Sequence, residues 1–146
     1  MGNKITNKTE IENKSKKAGI VSCSGEDLPE GSISRFATLE VLLKRKPLDT
    51  TTICLPLYIA GGEGDRLFAK NHPTITVDGC DKLCAKKATE KFSGKVSHSI
   101  NVKDFIKDGE KPVNRRNLNI QEKEIANRVA DEIEKNVDGI LEEGRD

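Results

Sequence analysis

Tryptophan is absent and tyrosine occurs once in these 146 residues, so aromatic residues make up only 3% of the chain. A surface that stacks nucleic-acid bases is therefore poorly supplied. Neither sign of charge is in excess, since 25 Lys and Arg stand against 24 Asp and Glu, a formal net charge of +1. A nucleic-acid-binding face draws on a basic surplus, so no nucleic-acid partner is expected. No apolar run approaches the roughly 18 residues of a membrane span. The N-terminus also lacks a hydrophobic signal core, and the expected location is cytoplasmic. Four cysteines, Cys23, Cys54, Cys80 and Cys84, are too few for a secreted disulfide scaffold of this length. In a reducing compartment such a set serves metal binding or redox chemistry, unless the thiols are simply small buried hydrophobes.

What is present fits one domain behind a polar tail. Residues 1–17, rich in Lys and Asn, have no sustained apolar period and read as a weakly ordered tail. "MGNKIT" matches the N-myristoylation pattern only loosely. Residues 18–146 read as the folded domain. "AGIVSCSG" predicts a buried strand ending in a turn. "SRFATLEVLLKRK" predicts a helix with Ser34 as N-cap and Phe36, Leu39, Leu42 and Leu43 on one face, ended by Pro47. "TTICLPLYIA" is β-branched and apolar and predicts a second strand, cut short at Pro56. "GGEG" predicts a flexible loop, a candidate lid, before a short helix. "PTITVDGC" predicts a third strand, "DKLCAKKATEKFSG" a helix closed by Gly94, and "KVSHSINV" a fourth strand. In the last segment Ile125, Val129, Ile133 and Val137 recur every four residues, the stripe of an amphipathic helix. Asn119 and Glu122 resemble a capping box at its start, and Gly144 marks its end. Strands alternating with helices predict a single-domain α/β three-layer sandwich. Its sheet is expected to be mainly parallel, Rossmann-like or flavodoxin-like, with about four strands and helices on both faces.

In such sheets ligands bind beyond the carboxyl ends of the strands. The expected strands put all four thiols at that edge, with Cys23, Cys54 and Cys80 ending strands and Cys84 in the first turn of the next helix. Cys80 and Cys84 share a helical face if the helix begins near residue 80, with Gly79 making the turn and Asp78 or Asp81 capping it. Free N–H groups at a helix N-terminus favour a thiolate, which suits either a metal or a nucleophile. Three chemistries stay open. One is a zinc held by the four thiolates. Another is thiol or persulfide transfer with Cys80 as nucleophile and Cys84 as resolving thiol, and the third is an iron–sulfur cluster. His72 and His98 read as a loop and a strand residue. "GGEG" lacks the lysine and the spacing of a phosphate loop.

The segments "GIVSCSGEDLPEGSISRFAT" and "TICLPLYIAGGEGDRLFAKNHPTITVDGCDKLCAKKATE" resemble the DGC-domain family, named for the Asp-Gly-Cys that stands here as Asp78-Gly79-Cys80. That family's four cysteines are regarded as zinc ligands. The resemblance implies Cys23, Cys54, Cys80 and Cys84 as the ligand set and leaves any reaction unspecified.

Overall fold

The structure, a computed structural model, describes residues 17–143. The expected tail, apart from Lys17, and Gly144 lie outside the described residues. Strands β1 (Ala18–Ser22), β2 (Thr50–Thr52), β3 (Thr74–Asp78) and β4 (His98–Asn101) pair in parallel, in the order β2-β1-β3-β4. The helices are α1 (Pro29–Glu40, continued by a π-helical turn over Val41–Arg45), α2 (Leu55–Ala60), α3 (Glu63–Asn71), α4 (Cys84–Phe92) and α5 (Ile120–Glu143).

Alternation along the strands sends side chains to two cores. Ala18 and Ile20 of β1 and Ile75 and Val77 of β3 pack with Ile33, Ala37 and Val41 of the first helix. The expected α5 stripe, Ile125, Val129, Ile133 and Val137, closes the same core and is fully buried. Val21 and Ile53 meet Tyr58 and Ala85 on the opposite face, with Phe68 and Phe92 at its margin. Helices therefore cover both faces, and the three-layer α/β reading holds.

Three local expectations fail, each for a physical reason. The first helix begins at Pro29, whose fixed φ and missing N–H suit a first turn. Ser34 lies inside it and is buried, and the inward face is Ile33, Ala37 and Val41, leaving Phe36 and Leu43 exposed. The second strand stops at Thr52, and "LPLYIA" is helical, with Pro56 again in a first turn. "GGEG" is no long loop: Gly61 closes α2 and Gly62 directly precedes α3.

Between β4 and α5 the chain crosses as an irregular strap, and Glu122 ties it down. Its carboxylate accepts from the Val113 N–H (2.6 Å), the Asn114 N–H (2.8 Å), the Asn114 side chain (2.9 Å) and the Asn119 N–H (2.9 Å). Asn119 Oδ1 accepts from the Glu122 N–H in return (2.8 Å), completing the expected capping box. Ser32 Oγ donates to the Arg115 carbonyl, fastening the strap to α1. Burial alone would raise the Glu122 pKa, but the N–H donors of Asn114, Asn119 and Val113 outweigh it and hold the carboxyl at about 2.

Because the folded pKa lies below the ordinary 4.5, this contribution is present above that pH and is lost as pH falls from about 4.5 through about 2. Glu122→Gln is expected to cost roughly 2–4 kcal/mol at neutral pH, since its NH2 would face N–H donors. Urea unfolding at pH 7 and pH 3 checks this; the variant's deficit shrinks at the lower pH.

Candidate thiol site at the carboxyl edge of the sheet

Parallel pairing brings the carboxyl ends of β2, β1 and β3 side by side, and every cysteine of the chain follows one of them. Cys23 comes directly after β1, where its N–H still bonds the Val77 carbonyl at 2.9 Å. It thus sits between β1 and β3, the point at which the chain order reverses. Cys54 is the residue before α2, not a strand residue as expected. Its N–H donates to Asp65 Oδ2 at 3.0 Å, a partner eleven residues away that no local pattern announces. Cys80 lies two residues past β3, and Cys84 opens α4.

The two thiols of the Asp-Gly-Cys segment do not share a helical face. Cys80 starts a turn closed by the Leu83 N–H to its carbonyl at 3.2 Å. Leu83 then takes a left-handed conformation at φ 53°, and the helix begins only at Cys84. The sharp corner therefore falls on Leu83. Gly79 is required for another reason: a Cβ there would come within 2.6 Å of the Gly31 N and 2.7 Å of the Glu30 carbonyl carbon. Gly31 is equally tight, since its Cβ would overlap the Gly25 carbonyl. The loops after β1 and β3 thus each press backbone to backbone on the first turn of α1.

Of the two candidate caps, Asp78 is the one used. Its Oδ1 accepts the Ala85 N–H at 2.7 Å and its Oδ2 the Lys86 N–H at 3.2 Å. Burial pushes this carboxyl up, against the pull of those two N–H groups. Asp81 stays outside, within reach of Asn101 (3.5 Å) and Lys103 (3.4 Å). Ser34 lies beside Cys23 at 3.4 Å. Its hydroxyl donates to the Gly31 carbonyl at 2.6 Å and accepts from the Ser24 N–H at 3.3 Å. With the serine proton committed, the Cys23 S–H is the donor in that contact. His72 ends α3 at the opposite edge, against the Phe68 ring, and His98 is exposed at the start of β4. Neither joins the thiols.

A model of the DGC domain matches residues 19–140. The chain belongs to the DGC-domain family. No curated protein and no solved structure matches it. In this chain the Asp-Gly-Cys segment is a cap, a close contact and a thiol in succession. All four cysteines are free thiols, with Cys54 and Cys84 exposed and Cys23 and Cys80 half-buried. Among the described residues no three Cys, His, Asp or Glu side chains are gathered closely enough to hold a metal ion. The donor set nevertheless suits a soft or borderline ion: four thiols and no competing histidine at one sheet edge. Gly79→Ala is expected to lower stability by at least about 2 kcal/mol, because the clash is with backbone. A urea midpoint equal to that of the parent chain would contradict it.

Proposed function

We propose that this DGC-domain protein binds one zinc ion through Cys23, Cys54, Cys80 and Cys84. The observation that carries this reading is that all four cysteines follow the ends of three neighbouring parallel strands. Neighbouring strands lie about 4.8 Å apart and zinc–sulfur bonds are about 2.3 Å, so a single ion requires the loops that carry the thiols to draw together over the ends of three strands. Bound zinc would supply a cross-link between three strand ends. An all-thiolate shell leaves no open position, so the role that follows is structural or regulatory. Four free thiols also suit a reducing compartment, which supports a cytoplasmic location. Among the described residues no helix is long and apolar enough to cross a membrane.

An iron–sulfur cluster would use the same donors. Thiol or persulfide transfer is favoured by the exposure of Cys84 at the first position of α4. That placement attaches the helix-terminus argument to Cys84, whereas the sequence attached it to Cys80. Asp78 already occupies those N–H groups, which weakens this second reading.

Protein purified without chelator is expected to carry about one zinc per chain and no visible colour. Cys54→Ser is expected to weaken zinc binding at least tenfold, roughly, while the fold survives. Zinc below about a tenth of an equivalent counts against the reading. A brown anaerobic preparation points to the cluster, and a Cys54→Ser protein with undiminished Cys80 and Cys84 chemistry points to thiol transfer.

A further inference from the structure

We infer that Asp78 is the positioning residue of the thiol site: its carboxylate sets where α4 begins and so fixes the separation of Cys80 from Cys84. This rests on the metal reading above. Asp78 is the last residue of β3 and is 1% exposed, so it moves with the sheet and not with the loop. From there it spans the whole corner to reach the Ala85 and Lys86 N–H groups. These are the second and third helical positions, whose amides have no partner within the helix.

Nothing local does this job. The residue before the helix is Leu83, which offers no side-chain oxygen, and no side-chain cap is made from that position. Leu83 is also held in the left-handed region, which is unfavourable for a residue with a Cβ. The corner is thus a strained segment bracketed by one distant carboxylate. Without that bracket, residues 80–83 are free to fray or to wind into the helix. Winding would stack Cys80 and Cys84 one turn apart, the arrangement their spacing suggests. Asp81, on the outside of the same turn, reaches neither amide and serves as the control.

The carboxylate has an electrostatic consequence too. It neutralises the positive end of the α4 dipole, so an anion brought to this corner gains little from the helix.

Cobalt(II) titration of the full chain, followed by thiolate-to-metal charge transfer, tests the proposal. The parent chain and Asp81→Asn are expected to bind alike. Asp78→Asn is expected to bind about 10- to 100-fold more weakly, with lower charge-transfer intensity at saturation because fewer thiolates reach the ion. The same affinity and spectrum in Asp78→Asn would overturn the inference. Amide exchange in the metal-free parent chain decides independently of any variant's folding. The Ala85 and Lys86 amides are expected to be protected as well as the α4 interior; exchange at unprotected rates overturns the inference. A parent chain that takes up no cobalt overturns the metal reading alone, since the exchange measurement still decides whether Asp78 sets the helix start.

Discussion

Parallel pairing is the constraint on which the site depends. In a sheet whose four strands all run one way, each strand delivers its next residue to the same edge, and each return must cross a face as helix. The core residues make this arrangement hold: Ile20, Ile75 and Val77 bury one face under the first and last helices, and Val21 and Ile53 the other. Once the order β2-β1-β3-β4 is set, the segments following β2, β1 and β3 are neighbours however far apart they lie in sequence. Cys54, Cys23 and Cys80 follow three consecutive strands of the sheet for that reason. None of them had to be close along the chain.

What such an edge can accommodate depends on how tightly its loops meet. Gly79 against Gly31, and Gly31 against Gly25, press the loops after β3 and β1 onto the first turn of α1. The edge presents thiols on short segments held from beneath: Cys23 beside the buried Ser34, Cys54 by the Asp65 carboxylate, and the start of α4 by Asp78. Across the sheet from Asp65, the strap fastened by Glu122 closes the other core at the same edge and ties it to α1 through Ser32.

The layering and the strand positions were legible in the sequence because burial imposes periods that residues must obey. Ile125, Val129, Ile133 and Val137 could only be one face of a helix, and Asn119 with Glu122 could only be its start. That each cysteine follows a strand was legible too, since cysteines after apolar runs mark strand ends. What escaped were features set by tertiary contact. "LPLYIA" is apolar enough for a strand, and its helical fate follows from Pro56 and from the packing of Tyr58 against Phe92. Ser34 carries the chemistry of a cap, but a proline five residues earlier starts the helix sooner. Gly79 read as a turn residue, whereas it answers a neighbouring backbone that only folding brings near. The four-residue spacing of Cys80 and Cys84 suggested a shared helical face, and the distant Asp78 carboxylate sets the helix start at Cys84.

The central claim is that these strand ends supply one ion with four sulfurs. X-ray absorption at the zinc edge of the zinc-loaded full chain reads that shell directly. The account predicts four sulfur neighbours at about 2.3 Å and no nitrogen or oxygen. A shell with two or fewer sulfurs, completed by lighter atoms, would contradict it.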